Sequence, residues 1–191
     1  MEKPHIAVFY GSARPNAAAP KVATWLKGKL AHETAMTFEY IDLATLDLPI
    51  MNTPGAIEIG TTPTLPSLAL WSTAIEKADG FIAIVNEYNH APSAITKNAI
   101  DYLKVQWAHK PVAFVSYGGV MGGSRAVEHL RQVFVELEAT TVRDQISIQH
   151  VYSQFNEQGV LNETSVSGDL IKMLKNLLWW TEALRVARNK A

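Results

Sequence analysis

Three nearly continuous apolar runs, at residues 5–10, 80–85 and 111–117, are too short for helices, and each ends in a cluster of glycine and polar residues. Apolar runs of this length, without alternation, are the pattern of strands covered on both faces, which a parallel sheet layered between helices provides. The segments at their ends are Gly11-Ser12-Ala13-Arg14, Glu87-Tyr88-Asn89-His90 and Ser116-Tyr117-Gly118-Gly119. In a parallel sheet the chain leaves every strand at one edge, so the three segments are expected to gather where open α/β sheets take nucleotide-like ligands.

The intervening chain reads as helices and two weaker strands. Residues 20–30 place Val22, Trp25, Leu26 and Leu30 on one face, and 37–43 form a strand of lower hydrophobicity, as expected at a sheet edge. Residues 44–66 carry Pro49, Pro54, Pro63, Pro66, Gly55 and Gly60, which forbid a long helix and predict an irregular surface excursion. Helices are predicted over 71–77, over 92–105 with Pro92 in the first turn, over 124–137 with Val127, Leu130, Phe134 and Leu137 inward, and over 165–188. A last strand is expected at 141–149. Strand–helix alternation with right-handed crossovers predicts an α/β three-layer sandwich around a five-stranded parallel sheet, in the flavodoxin-like order 2-1-3-4-5. The 191 residues suit one domain over 1–191.

Composition closes off several function classes. With 17 basic and 18 acidic residues the net charge is -1, so no global field recruits nucleic acid or an anionic membrane. No apolar run approaches the ~20 residues of a membrane span, and no signal-type core precedes the first strand, so a cytoplasmic location is expected. The sequence contains no cysteine, so disulfides, Cys-based zinc sites and a thiol nucleophile are excluded, and redox chemistry requires a cofactor. The histidines at 5, 32, 90, 109, 129 and 150 show no paired metal-ligand spacing.

Each strand-end segment has its own chemistry. The first runs into a helix whose leading amides carry partial positive charge, and Ser12 and Arg14 add a hydroxyl and a guanidinium suited to a phosphate monoester. The second sets Tyr88 to lie against a planar heterocycle while Asn89 meets a polar edge; capping of a helix by Glu87 is an equally simple role for that side chain. The third continues through Val120-Met121-Gly122-Gly123 and permits close backbone approach to a ligand. It matches neither a Walker loop nor the Rossmann fingerprint.

Taken together, Gly11-Ser12-x-Arg14, Glu87-Tyr88-Asn89-His90 with Lys97-Asn98-Ala99-Ile100-Asp101, and Ser116-Tyr117-Gly118-Gly119-Val120-x-Gly122-Gly123-x-Arg125-Ala126 resemble the NADPH-dependent FMN reductase family of flavodoxin-like proteins. The resemblance implies non-covalent FMN, with Gly11, Ser12 and Arg14 at the phosphate, Glu87, Tyr88 and Asn89 flanking the isoalloxazine, and Gly118 and Gly119 offering backbone contacts near its polar rim. It also implies a hydroxyl contribution from Ser116. The implied activity is hydride transfer from NADPH or NADH to the flavin and onward electron transfer to a small acceptor such as a quinone or flavin. A homodimer or homotetramer is the implied assembly. The chain departs from the family pattern at Asn86, where proline is usual, at Ala17, Ala18 and Ala19, where polar or glycine residues are usual, and at Ala91, which replaces a frequent glycine. A lost charged hydrogen bond at the phosphate removes about 1 to 3 kcal/mol, so looser flavin binding is the expected consequence.

Two other readings compete. A hydrolase built on Gly122-x-Ser124-x-Ala126 fails on spacing, because a nucleophile elbow puts serine directly at the strand end whereas residues 118–123 intervene here. A non-enzymatic flavodoxin-type electron carrier or flavin-binding module uses the same fold, though a charge of -1 gives little electrostatic steering toward a basic partner. In the final helix Trp179 and Trp180 cannot share one apolar stripe, so one ring is expected at the surface, where a subunit contact would use it.

Overall fold

Strand residues of alternating parity feed two separate apolar layers. Along β1 (His5–Tyr10), Ile6 and Val8 face one layer while Ala7 and Phe9 face the other, and all four are buried. The first layer is closed by α1 (Ala19–Lys29) through Val22 and Leu26. After β2 (Thr37–Asp42) come a single turn, α2 (Leu43–Leu46), and α3 (Pro66–Lys77), whose Trp71 and Ile75 enter the second layer. The computed structural model describes residues 2–61 and 63–190.

The second half repeats the scheme. β3 (Gly80–Tyr88) turns back through the two-residue β4 (Ala91–Pro92), followed by α4 (Ala94–Asp101), β5 (Pro111–Tyr117) and α5 (Ser124–Glu136). β6 (Thr140–Ile148), two 3₁₀ turns, the two-residue β7 (Val166–Ser167) and α6 (Leu170–Arg188) complete the described chain. α6 joins α1 on the first face through Met173 and Leu177, and α4 and α5 join α3 on the second through Ala99, Ile100, Leu130 and Phe134.

The sheet runs β2-β1-β3-β5-β6-β7, with β4 paired only to β3. Its five long strands are parallel and keep the flavodoxin-like order expected from the sequence. The strand count of five is corrected to seven. Both added strands are antiparallel and two residues long, too short to leave a periodic signal. β2 lies at the edge and alternates exposed with more buried residues, which accounts for its weaker hydrophobicity.

Several further boundaries move: the last helix starts at Leu170 instead of 165, after β7, and α4 ends at Asp101 instead of 105. Pro92 pairs with Glu87 in β4 instead of opening a helix, and α4 starts at Ala94. α3 begins at Pro66, because proline at a first helical turn needs no amide partner. β3 extends to Tyr88, so Glu87 and Tyr88 are strand residues with fixed facing.

The second layer is organised around Trp107, whose ring meets Phe81 at 4.8 Å, Phe134 at 5.4 Å, and Phe9 and Trp71 at 5.8 Å between centroids. Edge-on pairs of this kind add about 0.5–1.5 kcal/mol each beyond area burial. The indole nitrogens of Trp71 and Trp107 donate to the carbonyls of Ala99 and Ile100, so both rings are buried without an unmet donor.

At the opposite edge from the three loops, Lys110 is 8% exposed and donates to the carbonyls of Ile75 and Glu76 at 2.9 Å, closing the last turn of α3. Burial, and after it the charge of Arg188, lower its ammonium from the ordinary lysine range to about 8. In the unfolded chain the same group keeps its proton up to about pH 10. Between those values the unfolded state binds more protons, so the stability referable to Lys110 rises with pH, by up to about 3 kcal/mol across the window. Urea denaturation at both ends of the window is expected to show this rise in the wild type and its loss in Lys110→Met.

Candidate functional site

The exit from β1 is shaped by a close approach. A Cβ on Gly11 would lie 2.8 Å from Leu43 Cβ and 3.3 Å from the Ala44 amide nitrogen, so only glycine lets the chain pass α2 here. Beyond it, Ser12 is buried and its hydroxyl shares a 2.8 Å hydrogen bond with the Tyr88 hydroxyl, while the Arg14 amide donates to Ser12 Oγ at 3.3 Å. The Arg14 guanidinium stands over the Tyr88 ring, 5.5 Å from its centroid. A cation over an exposed tyrosine face contributes about 0.5–1 kcal/mol. The first and second predicted segments therefore meet directly.

Tyr88 is followed by a two-residue hairpin turn. Asn89 and His90 both have positive φ, at 48° and 70°, the geometry that matches the twist of the flanking strands. Both residues are exposed at the tip. Asparagine tolerates this conformation and histidine does so less readily, which is why the sequence lacks the Asn-Gly signal that announces such a turn.

Glu87 points the other way. Its carboxylate accepts from the Arg125 amide at 3.2 Å and from Arg125 Nη1 at 3.3 Å, capping the N-terminus of α5, and its side chain is only 10% exposed. A Cβ on Gly118 would sit 3.5 Å from Glu87 Cβ, so the second and third segments are also neighbours. Gly118 donates its amide to Ile148 and accepts from Val151, and the Gly119 carbonyl accepts from His150 at 2.9 Å. Gly119 is exposed, and a Cβ there would meet nothing within 4 Å. The Ser116 hydroxyl is fully buried and donates to the carbonyl of Gly122 at 2.8 Å, so it holds the glycine loop in shape. That loop closes through Gly123 at φ 87°, where a Cβ would fall 2.7 Å from Ser116 Cβ.

The N-termini of α1 and α5, two of those at this edge, are in different states. α5 is capped by Glu87, whereas α1 has Ala18 at its N-cap, no side-chain cap and no acidic residue in its first turn. The partial positive charge at α1 is left for an external anion, beside Arg14.

Two residues on the α1 side of the sheet, both named in the sequence motifs, had been given no site role of their own. Tyr117 is 3% exposed and pairs in register with Asn86. Burial first, then Tyr88, Tyr152 and Asp42, push its phenol well above the usual range, and burial with Tyr10 pushes Tyr40 up to about 12. These phenols stay protonated at neutral pH. Asn86 is 2% exposed, with neither side-chain polar atom hydrogen-bonded. Its departure from the proline usual in the family at this position was the available signal.

On the other side of Arg14 lies a cleft of about 600 Å³, lined among others by Ser12, Arg14, Leu48, Ile50, Ile95 and Asn98. The excursion that forms its wall is tied down by side chains one turn apart. Asn98 donates to the Pro49 carbonyl at 2.7 Å and accepts from the Met51 amide at 2.8 Å. Tyr102 donates to the same carbonyl at 3.1 Å, and Gln106 donates to that of Ile57 at 2.9 Å. No helix among the described residues is long and apolar enough to cross a membrane.

Both the sequence and the fold have known relatives. The family model for NADPH-dependent FMN reductases matches residues 4–153. An NAD(P)H-dependent FMN reductase of Schizosaccharomyces pombe is 37% identical over 124 residues, covering 64% of this chain and 62% of that protein. An NAD(P)H:quinone oxidoreductase of Solanum tuberosum is 35% identical over 136 residues, covering 68% of each chain. The matched stretches thus span about three fifths to two thirds of these relatives. Among solved structures, the flavoenzyme NAD(P)H:acceptor oxidoreductase of Paracoccus denitrificans shares the fold at a TM-score of 0.63, with 24% identity over 95% of this chain and 94% of that one.

Glu87 gives this geometry a direct stability test. Glu87→Ala removes the cap of α5 and the partner of Arg125, and is expected to cost about 1–2 kcal/mol in chemical denaturation. Glu87→Gln keeps an acceptor for the Arg125 amide and is expected to lose less.

Proposed function

The chain belongs to the NADPH-dependent FMN reductase family, and from that premise we propose that it is an FMN-dependent NAD(P)H oxidoreductase delivering electrons to a quinone, a flavin or a similar small acceptor. The observation that carries the reading is the meeting of Ser12, Arg14 and Tyr88 beside the uncapped N-terminus of α1. A cation, a hydroxyl, an aromatic face and free helix amides together suit a flat ring that ends in a phosphate. FMN supplies hydride acceptance and electron donation when bound.

The protein's residues divide the work of holding it. Arg14, Ser12 and the α1 amides offset the phosphate charge, and Gly11 lets the backbone come close. Tyr88 offers its ring, Asn89 a polar side chain at the turn, and the exposed Gly119 leaves room over the glycine loop beside Gly118. Glu87 and Ser116 keep that loop and α5 in place from behind. Tyr117, protonated beside Tyr88, carries no charge. No side chain needs to act as acid, base or nucleophile in this chemistry.

The same reading treats the chain as one flavin-binding domain drawing on cytoplasmic reduced nicotinamide, and as a homodimer or homotetramer. Supporting the assembly, Trp179 is 61% exposed on α6, set edge-on to Trp180 at 4.9 Å, with Ile171 and Val186 also exposed on that helix. Large exposed apolar side chains on one helix suit a subunit contact. Trp179→Ala is expected to lower the mass measured by light scattering, and an unchanged mass would remove α6 from the assembly.

The activity is tested by mixing the protein with FMN, removing unbound flavin, and adding NADPH or NADH anaerobically. Retained yellow colour that bleaches on addition of the nicotinamide is the expected result. Colour that stays would make the protein a carrier, and colour that is never retained would overturn the flavin reading.

A further inference from the structure

Among the described residues, only Asn86 and the Tyr40 hydroxyl bury side-chain polar atoms without a hydrogen-bond partner in the protein, and Asn86 does so with both its donor and its acceptor. An unsatisfied buried amide is expensive, so its position is informative. On β3 it follows Ile82 and Ile84 in alternation, on the face that α1 covers. Its register partner on β5 is Tyr117. On the other side β1 pairs Tyr10 with Ile84, and two residues further along those chains come Ser12 and Asn86. Asn86 therefore lies between the loop that carries Arg14 and the loop that carries Gly118 and Gly119.

We propose that the Asn86 amide binds the sugar-alcohol chain of the flavin, donating to one hydroxyl and accepting from the same or the next; this assignment rests on the flavin reading above. The chemistry of the amide selects that part of the molecule. A phosphate dianion only accepts and would satisfy the nitrogen alone, leaving the oxygen unmet. Hydroxyl groups both donate and accept, and so meet both needs. The location agrees, because the polyol of a flavin joins the phosphate to the ring and must span the interval between the Arg14 loop and the glycine loop.

The test measures equilibrium binding by quenching of flavin fluorescence, with FMN, riboflavin and lumiflavin as probes; riboflavin lacks the phosphate and lumiflavin lacks the polyol as well. Asn86→Leu, close in volume, is expected to weaken FMN and riboflavin by the same factor, about tenfold, and to leave lumiflavin unchanged. Asn86→Ala should reproduce the pattern, which separates loss of the amide from the bulk of leucine. The ligand-free melting temperature of Asn86→Leu is expected to rise, since two unmet polar groups leave the interior. A loss confined to FMN would assign the amide to the phosphate, and an equal loss for lumiflavin would assign it to the ring; either overturns the proposal. Unchanged affinities with a lower melting temperature would make Asn86 a purely structural residue and overturn it too. Wild-type protein that binds none of the three probes would sink the flavin reading itself, whereas retained wild-type binding with no effect of either substitution sinks only this assignment.

Discussion

β3 is hydrogen-bonded to a parallel neighbour on each side and buried from Gly80 through Asn86, so it has no freedom to slide or rotate. A shift of one residue would exchange its two faces and drive Ile82 and Ile84 into the layer that Phe81 and Ala83 occupy. That rigidity passes to the residues at its end. Asn86 and Tyr88 are aimed at the α1 side and Glu87 at the α5 side by the same pleat that buries the isoleucines. The site is thus a continuation of core packing by one more turn of the alternation, with polar side chains in place of apolar ones.

Electrostatic roles at this edge follow from the same alternation. Glu87, on the α5 face, settles the partial charge of that helix and draws Arg125 to it, which removes one anion-binding end from use. The α1 end keeps its field because alanines stand where a capping side chain would be. An anionic group approaching this surface therefore finds the α1 end attractive, and Arg14 beside it fixes the direction in which the rest of a ligand must extend. The buried Tyr117 phenol, near Tyr88, adds no competing charge there.

Much of this was legible in the sequence because burial on both faces leaves a strong signature. The runs ending at Tyr10 and Tyr117 match strands whose bounds agree with the structure, and Val127, Leu130 and Phe134 all lie in the core. The meeting of Arg14 with Tyr88 was inferable from the parallel rule alone, since both segments leave the sheet at one edge. What escaped depends on short range and on facing. A two-residue strand has no period, so β4 was invisible and Pro92 looked like a helix opener. The extension of β3 through Glu87 was hidden because polar side chains there read as loop, although an extended backbone is indifferent to their polarity. Tyr117 stood in the third segment without a role of its own, because its facing beside Asn86 is set by strand register, which the sequence does not print.

The tethers from Asn98, Tyr102 and Gln106 reach the excursion only at Pro49, Met51 and Ile57. Upstream of Ile57 the segment is therefore mechanically part of α4 and follows that helix, whereas the described residues 58–61 and 63–65 carry none of these ties. A change of length or composition in that later stretch does not act on Leu48 or Ile50 through these tethers. The fold thus keeps the wall of its cleft constant while leaving an adjacent flap of surface open to diversification.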